Sequence, residues 1–529
     1  MSPIGLPNGW VEAPLSTLAR IQYGYTASAI EDQRAPRLLR ITDIQDGRVD
    51  WAKVPGCSIR SGDLDKYRLR PRDIVFARSG ATTGKSLLIQ SCPPDALFAS
   101  YLIRVHADEL VTDPKYLALY FQSPPYWAHI AGSVAGIAQP NCNGTKLAAL
   151  NVPLAPLSEQ RRIVAEIEKQ FTRLDAGVEA LKRLQIHLRR YRASVLKAAC
   201  EGRLVPTEAA LAQKENRDYE PADKLLARIL KERRAKWETD QLAKMKAAGN
   251  TPKNDNWKAK YIRPTPPDIS APVDLSDGWG WVSVEQVAAD EANSITDGPF
   301  GSNLKTQHYV ETGPRVVRLQ NIGDGKFIDE EAHISRAHFT GLQKHRVFPG
   351  DVVIAALGER PPRACLIPES LGDAIVKADC IRFKPDPVCA LAGFMSIVLN
   401  SETTRHRIAD RVHGVGRPRL NLGEIRSIGI PLPPPREQRR IIAEVEDRLS
   451  IAEAAEAALM VNLARASRLR QALLRRAFEG KLVSQDPKDE PASVLLDRIQ
   501  AQRQAESEDA GPTKKRGAKK ANAKAATAA

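Results

Sequence analysis

Glu159-Gln160-Arg161-Arg162-Ile163 recurs 278 residues later as Glu437-Gln438-Arg439-Arg440-Ile441. Two further pairs of segments have the same spacing: Pro36-Arg37-Leu38-Leu39-Arg40 with Pro314-Arg315-Val316-Val317-Arg318, and Glu201-Gly202-Arg203-Leu204-Val205 with Glu479-Gly480-Lys481-Leu482-Val483. Because one spacing is kept over so long a stretch, the chain contains a duplicated domain pair and not a short solenoid repeat. Two copies of one module predict two related binding sites.

The bulk composition excludes several classes of protein. A chain of 529 residues is too long for one hydrophobic core, so several domains are expected. The sequence contains no run of about 18 apolar residues and no basic, apolar leader, so we expect no membrane association and no signal peptide. Seven scattered cysteines without a Cys-x-x-Cys pair argue against a zinc site and a disulfide framework. These features predict a cytoplasmic protein.

The net charge is compatible with a nucleic-acid partner but does not identify one. The formal charge is +15 and the isoelectric point is about 9.4. Phosphate groups attract such an excess of lysine and arginine. Part of the excess lies in the Lys/Ala-rich C-terminal tail, whose low complexity predicts disorder and only non-specific affinity.

Each copy has the same internal order of elements. A mixed region with short apolar runs, such as Asp73–Ala77, predicts strands and short helices and therefore an α+β domain. A proline-rich junction follows it. Then apolar residues recur in steps of three and four from Ile163 to Val195, which predicts one helix from Ser158 to Glu201, about 65 Å long and ended by Gly202. Such a stripe needs a partner, so we expect the second long helix, which ends at Gly480, to pack antiparallel against it as a coiled coil.

The starts of the two copies are not equally spaced. Matching Trp10 with Trp281 predicts seven additional residues in the second copy before Pro314. Between the copies lies a polar insert, and a short echo of its sequence Glu220-Pro221-Ala222 follows the second copy. The predicted segments are a mixed domain at 1–155, a long helix at 156–205, a helical insert and linker at 206–274, a mixed domain at 275–432, a long helix at 433–484, and a C-terminal helix with a disordered tail at 485–529.

Two segments resemble catalytic motifs, but each lacks a part that the motif requires. Gly80–Ser86 resembles a phosphate-binding loop but has three residues where a P-loop has four before Gly-Lys. Ser123-Pro124-Pro125-Tyr126 resembles the tetrapeptide of amino-methyltransferases, yet no glycine-rich motif for S-adenosylmethionine accompanies it. There is also no His-Glu-x-x-His and no nucleophile elbow. The sequence therefore predicts no catalytic site, no metal site and no cofactor in this chain.

Two polar loops in each copy remain as candidate binding elements. One follows a predicted strand and the other precedes the proline-rich junction. Amide and guanidinium groups read base edges, although turn-capping is an alternative role for each of these residues. The glycine-flanked segments Gly301–Lys305 and Tyr23–Tyr25 are weaker candidates of the same kind. The candidate DNA-binding residues are Arg78, Ser79, Thr82, Thr83, Lys85, Gln139, Asn141, Asn143, Lys146, Ser302, Asn303, Lys305, Arg360, Arg363, Arg417 and Arg419.

The order of these elements, given twice, resembles the specificity subunit of type I restriction–modification systems, the HsdS family. The resemblance covers about residues 9–205 and 280–499, and it depends on the two Glu-Gln-Arg-Arg-Ile helix starts, the two Glu-Gly stops and Asp297–Ser302. It implies two similar target-recognition domains separated by two long antiparallel helices, with an internal pseudo-two-fold duplication. Each domain of such a subunit reads one half of a bipartite, asymmetric DNA site, and the helices set the unread gap.

The resemblance also implies partners. These are double-stranded DNA, two methyltransferase (M) subunits and restriction/translocase (R) subunits, and the partner subunits carry S-adenosylmethionine, ATP and Mg. The candidate subunit-docking residues are Glu159, Gln160, Arg161, Glu437, Gln438 and Arg439. Two other classes stay open: a coiled-coil scaffold that binds no DNA, and a fused methyltransferase–specificity chain.

Overall fold

The computed structural model describes residues 5–32, 34–45, 47–60, 62–134, 142–250, 252, 254–269, 274–414 and 416–509. The chain forms two compact units. Unit 1 comprises the residues up to Lys182 together with those from Met460 onward, and unit 2 comprises Arg183–Leu459. Each unit contains one mixed domain and part of each long helix.

The elements alternate between short strands and short helices within each mixed domain. The strands of the first domain are β1 (Val11–Pro14), β2 (Ala19–Tyr23), β3 (Ala29–Ile30), β4 (Leu38–Leu39), β5 (Ile44–Gln45), β6 (Arg48–Val49), β7 (Gly56–Cys57), β8 (Ile74–Ala77), β9 (Ser86–Leu88), β10 (Leu97–Phe98), β11 (Leu102–Ala107) and β12 (Asn151–Leu154). The helices up to the insert are α1 (Leu15–Leu18), α2 (Leu64–Tyr67), α3 (Pro114–Tyr120), α4 (Pro124–Val134), α5 (Gly144–Ala148), α6 (Leu157–Cys200), α7 (Glu208–Glu215) and α8 (Ala222–Ala247).

The second mixed domain repeats this pattern. Its strands are β13 (Gly280–Ser283), β14 (Ile295–Asp297), β15 (Tyr309–Val317), β16 (His333–Ile334), β17 (Arg346–Val347), β18 (Val352–Ala355), β19 (Arg363–Leu366), β20 (Ala374–Val376), β21 (Cys380–Phe383) and β22 (Gly429–Leu432). The remaining helices are α9 (Arg336–Gly341), α10 (Ala392–Leu399), α11 (Glu402–Arg407), α12 (Leu422–Ser427), α13 (Pro435–Phe478) and α14 (Ala492–Asp509).

The strand pairing repeats between the copies. The central antiparallel sheet has the order β2-β11-β8-β9 in unit 1 and β14-β21-β18-β19 in unit 2. The parallel pairs agree in register, since Leu38 faces Leu97 and Val316 faces Ile375, residues that are each 278 apart in sequence. The apolar runs of β8 and β18 are buried at every position, as runs without alternation require. The predicted α+β class is present in both copies.

The match of the two starting tryptophans was wrong by two residues. Val11 pairs with Leu154, and the equivalent partner of Leu432 is Gly280. Trp10 therefore corresponds to Trp279 and not to Trp281. Trp279 precedes Pro314 by 35 positions whereas Trp10 precedes Pro36 by 26, so the second copy carries nine additional residues and not seven. Two nearby tryptophans made the sequence ambiguous, and only the strand register distinguishes them.

The two long helices pack antiparallel within each unit, as predicted. Helices α6 and α13 are 44 residues long each. In unit 1, Ile163 near the start of α6 shares a core with Leu474 near the end of α13. In unit 2, Ala199 near the end of α6 shares a core with Ile441 near the start of α13. Apolar burial along the predicted stripes therefore joins the helices.

In each unit, one helix from outside the mixed domain packs against that domain. The backbone N–H of Ala222 in α8 donates to the carbonyl of Gly278, 2.8 Å away, and that of Ala492 in α14 donates to the carbonyl of Gly9, also 2.8 Å away. Ion pairs repeat as well, because Arg228 binds Glu220 and Arg498 binds Glu490. The front of the insert is thus the counterpart in unit 2 of the C-terminal helix in unit 1.

Truncating a buried leucine of α14 or of α8 should destabilise only the unit to which that helix belongs. We expect Leu495→Ala to lower the stability of unit 1, and Leu225→Ala that of unit 2, by about 2–4 kcal/mol, because each leaves a cavity in a closed core. Hydrogen exchange measured by mass spectrometry would report each unit separately. Val494→Ala, at an exposed position of α14, serves as the control. Equal loss of protection in both units would contradict this assignment.

Candidate nucleic-acid interface

The two candidate loops of unit 1 are in contact at the C-terminal end of strand β8. Arg78 follows this strand, and its backbone N–H donates to the carbonyl of Tyr101 over 3.2 Å. The Arg78 carbonyl accepts the backbone N–H of Cys142 over 2.9 Å. The post-strand loop and the loop before the junction, which lie about 60 residues apart in sequence, are therefore joined by backbone hydrogen bonds.

An exposed tyrosine lies at this junction. The Arg78 guanidinium is 5.2 Å from the ring centroid of Tyr23, and the Tyr23 hydroxyl accepts the backbone N–H of Gly144 over 2.6 Å. Tyr23 is 42% exposed and Tyr101 is 61% exposed. Tyr101 was absent from the sequence-derived candidates. An aromatic residue between two apolar strands is expected to be buried, so only the exposure of Tyr101 in the structure identifies it as a candidate.

The other unit 1 candidates divide between residues that form turns and residues at exposed or half-buried positions. The buried Thr83 hydroxyl donates to the carbonyl of Gly80 over 2.8 Å, which closes the turn after β8. Asn143 caps α5 by accepting the backbone N–H of Lys146 over 2.9 Å. Lys85 and Lys146 are exposed, whereas Ser79 and Thr82 are half-buried. Gln139 and Asn141 lie outside the described residues.

The methyltransferase-like tetrapeptide is a structural feature. Tyr126 is fully buried at the start of α4, and its hydroxyl donates to the carbonyl of Gly84 over 2.5 Å. Burial raises the pKa of this hydroxyl well above its ordinary value. A side chain enclosed in this way has no surface on which to hold a base, so the tetrapeptide supports the loop after β8.

Unit 2 joins its two loops through an equivalent hydrogen bond. The backbone N–H of Leu420 donates to the carbonyl of Ala356 over 2.8 Å, and these residues correspond to Cys142 and Arg78. A further bond of 3.1 Å connects the N–H of Gly358 with the carbonyl of Pro418. The same backbone frame is therefore built twice and carries different side chains.

Arg419 is the best-fixed candidate side chain in unit 2. Its guanidinium lies 5.8 Å from the ring centroid of Phe300, which is 45% exposed, and Nη2 is 2.9 Å from Oδ1 of Asp379. Asp379 has a φ of +66°, a left-handed conformation that is uncommon outside glycine. Phe300 and Asp379 were not among the candidate residues of the sequence.

The remaining unit 2 candidates are dispersed around this frame. Arg360 is paired with Glu402, and Arg363 donates to the carbonyl of Leu319 over 3.3 Å. Arg417 is exposed next to Arg419. The side chains of Ser302, Asn303 and Lys305 are exposed in the segment that follows Phe300.

The Glu-Gln pair that begins each long helix is buried. The indole N–H of Trp10 donates to Oε2 of Glu159 over 3.0 Å, and that of Trp279 donates to Oε1 of Glu437 over 2.9 Å. Removal from water raises the pKa of both carboxyl groups, while the indole hydrogen bonds oppose the shift. Each glutamate thus fixes the start of its helix to the residue that precedes the first strand of its own mixed domain.

The neighbouring glutamines complete this attachment. Gln160 accepts from the hydroxyl of Thr112 and the N–H of Asp113, and it donates to the carbonyls of Val111 and Ala155, over 2.9–3.2 Å. Gln438 makes the corresponding backbone contacts, accepting from the N–H of Leu391 and donating to the carbonyls of Cys389 and Pro433, over 2.7–2.8 Å. All of these partners belong to the glutamine's own unit.

These contacts narrow the docking hypothesis. Glu159, Gln160, Glu437 and Gln438 are at most 1% exposed, so in this fold they offer no surface to another subunit. The second arginine of each motif also has an internal partner, since Arg162 lies 2.7 Å from Asp489 and Arg440 lies 2.8 Å from Glu208. Only Arg161 and Arg439 are exposed, and docking through these two residues stays a prediction.

Two further features are absent from the described part of the chain. Its histidine, cysteine and carboxylate side chains form no cluster of three that could hold a metal ion. Among its helices, none combines the length and the apolar character that crossing a membrane requires.

The chain is similar in fold to a solved structure and in sequence to several curated proteins. No protein-family model matches the chain. A structure described as "Structural basis underlying complex assembly and conformational transition of the type I R-M system" superposes with a TM-score of 0.56 and 20% identity, covering 91% of this chain and 100% of the other. This likeness confirms the predicted fold class.

The curated relatives extend the resemblance to nearly the whole sequence. The type I restriction enzyme EcoKI specificity subunit of Escherichia coli strain K12 is 22% identical over 96% of this chain and 98% of its own. The EcoBI specificity subunit of Escherichia coli is 22% identical over 95% and 94%, respectively. The StySPI specificity subunit of Salmonella potsdam is 22% identical over 94% and 96%. The predicted resemblance to type I restriction specificity subunits is confirmed.

Proposed function

We propose that this chain is the DNA sequence-specificity subunit of a type I restriction–modification complex, and that each mixed domain reads one half of a bipartite, asymmetric DNA site. The observation that carries the proposal is the repeated frame of two joined loops. In one copy the frame holds Arg78 and in the other it holds Ala356, each bonded through its carbonyl to the later loop. A common frame with different side chains is suited to reading two different half-sites.

The chain acts without catalysis of its own. Methyl transfer with S-adenosylmethionine, and ATP- and Mg-dependent translocation and cleavage, belong to two methyltransferase and to restriction subunits. The paired helices set the unread gap and dock the methyltransferase subunits, with Arg161 and Arg439 as the exposed candidates for that contact. Such a subunit works in the cytoplasm, where chromosomal and invading DNA meet it.

A comparison of the host methylome with and without this gene tests the proposal. We expect methylation to disappear at one bipartite motif, with two half-sites of different sequence. Retention of the purified chain on DNA at physiological salt, with and without a methyltransferase subunit, distinguishes this function from a scaffold. Unchanged methylation together with no retention on DNA would reject the proposal in favour of the scaffold.

Removing one exposed arginine should affect one half-site. Arg417 is exposed in the second copy's frame beside Gly416 and Pro418. We expect Arg417→Ala to weaken discrimination in one half-site by about tenfold, because a base contact contributes on the order of 1–3 kcal/mol. The methylation motif, determined by sequencing, measures this effect, and Lys344→Ala is the control at another exposed cation of unit 2. Equal loss in both half-sites would show that the loops are not modular.

A further inference from the structure

Each unit presents one arginine over an exposed aromatic ring where its two loops meet. In unit 1 the guanidinium of Arg78 lies 5.2 Å from the centroid of Tyr23. In unit 2 the guanidinium of Arg419 lies 5.8 Å from the centroid of Phe300. A guanidinium held near the face of a ring is restricted in its rotation, while its N–H groups that point away from the ring stay available to an acceptor.

These two arrangements are not inherited from equivalent residues. The counterpart of Arg78 is Ala356, because each carbonyl accepts the same backbone bond from the later loop. Arg419 instead comes from that later loop, one residue before Leu420. The rings differ too, since the strand equivalent of Tyr23 is Asp297, three residues before Phe300. The same pairing of ring and arginine is therefore assembled from different positions, which duplication alone does not explain.

The hydrogen-bonding groups of both arginines suit one ligand. Among the described residues Arg78 has no ion pair, and its Nε is buried without a hydrogen-bond partner. Its terminal N–H groups are thus the ones left for an external acceptor. The side chain of Arg419 is 49% exposed, and one terminal nitrogen is bound by Asp379. In the major groove, O6 and N7 of guanine are two adjacent acceptors that match such a guanidinium edge.

Asp379 supplies the second constraint on Arg419. Its carboxylate is 21% exposed and lies 2.9 Å from Nη2, while its carbonyl accepts the N–H of Ala356 over 2.9 Å. The residue is held in a left-handed conformation with φ +66°. The equivalent residue in unit 1 is Tyr101, so Arg78 has no carboxylate at this position. An ion pair with a fixed carboxylate restricts the orientation of an arginine, so its remaining N–H groups are held in one arrangement.

We propose that Arg78 and Arg419 each read a guanine in the major groove, one in each half-site, and that Asp379 is a positioning residue for Arg419. This inference rests on the proposed function and adds the base and the residues. A phosphate group offers the same chemistry to a guanidinium, but a phosphate contact carries no sequence information. If the arginines contact a phosphate group, their substitution leaves the recognition motif unchanged. If they contact guanine, substitution removes the preference for that base.

The test determines the recognition motif of the full chain in complex with its methyltransferase subunits. The complex methylates a randomised duplex DNA library, and sequencing then identifies the methylated sites. We expect Arg419→Lys to reduce preference for one guanine in one half-site by about 10- to 100-fold, and Arg78→Lys to do so in the other, because lysine keeps the charge and loses the bidentate fork. Asp379→Asn should reduce the preference for the same guanine that Arg419→Lys affects. In the double variant the two effects should not add, because they act through one contact.

Arg470→Lys is the matched control. Arg470 lies 4.0 Å from the ring centroid of Phe171 and 2.6 Å from Asp175, so it has the same chemistry on the long helices of unit 1. Its substitution should leave the preference for guanine unchanged in both half-sites. Unchanged motifs in Arg78→Lys and Arg419→Lys, or a wild-type half-site without guanine, would overturn the inference. If the wild-type complex yields no bipartite motif at all, the proposed function itself fails.

Discussion

Replacing Gln160 with alanine should destabilise unit 1 by about 3–5 kcal/mol, because several buried polar groups lose their partners at once. The Gln160 side chain satisfies the hydroxyl of Thr112, the N–H of Asp113 and two backbone carbonyls, all inside the unit. Each buried group that is left unpaired costs about 1–3 kcal/mol, and the truncated side chain also leaves a cavity. Urea unfolding with hydrogen exchange for each unit measures the effect.

The chain provides two comparisons for this experiment. Gln438→Ala should have a similar effect confined to unit 2, because its contacts are the equivalents of those of Gln160. Gln170→Ala, on the same helix as Gln160, removes a half-buried hydrogen bond to Glu166 within the helix and should cost about 1 kcal/mol. If Gln160→Ala were no more destabilising than Gln170→Ala, the buried glutamine would not fix the helix start to the mixed domain.

Replacing Gly298 with alanine should abolish reading of one half-site. A Cβ atom at this position would lie 2.0 Å from the carbonyl carbon of Lys377 and 2.2 Å from its oxygen. Backbone atoms cannot rotate away, so the segment that carries Phe300 must shift from the frame that Asp379 and Arg419 occupy. We expect at least a hundredfold loss of discrimination, because a displacement of about 1 Å disrupts such a constellation. The methylation motif of the reconstituted complex measures this loss.

The same substitution in the first copy should act on the other half-site. A Cβ atom on Gly24 would lie 2.2 Å from the carbonyl oxygen of Ala99, and Ala99 is the counterpart of Lys377. Gly341→Ala is the control, since no atom lies within 4 Å of the added group. Retained discrimination at both half-sites in Gly24→Ala and Gly298→Ala would show that these loops do not form the reading surface.

The candidate site was only partly predictable. The sequence directed attention to the loops around Arg78, Arg417 and Arg419, because guanidinium groups are typical base readers. It did not reveal Tyr101 or Asp379, which lie between apolar strands and show no pattern of their own. It also suggested an exposed role for Glu159 and Gln160, since charged and amide side chains seldom lie fully buried. Their buried partners are supplied by distant segments that no local pattern connects to them.

Patterns in the amino-acid sequence were enough to predict the duplication, the α+β character and the extent of the long helices. These features are local or repeated: apolar steps of three and four mark a helix, and Gly202 and Gly480 end α6 and α13 with the same φ of +66°. Three further features became visible only in the folded chain: Trp279 is the counterpart of Trp10, α14 completes unit 1 as α8 completes unit 2, and Gln160 is buried. Such contacts join residues far apart in sequence, because packing and hydrogen-bond satisfaction choose partners by position in space.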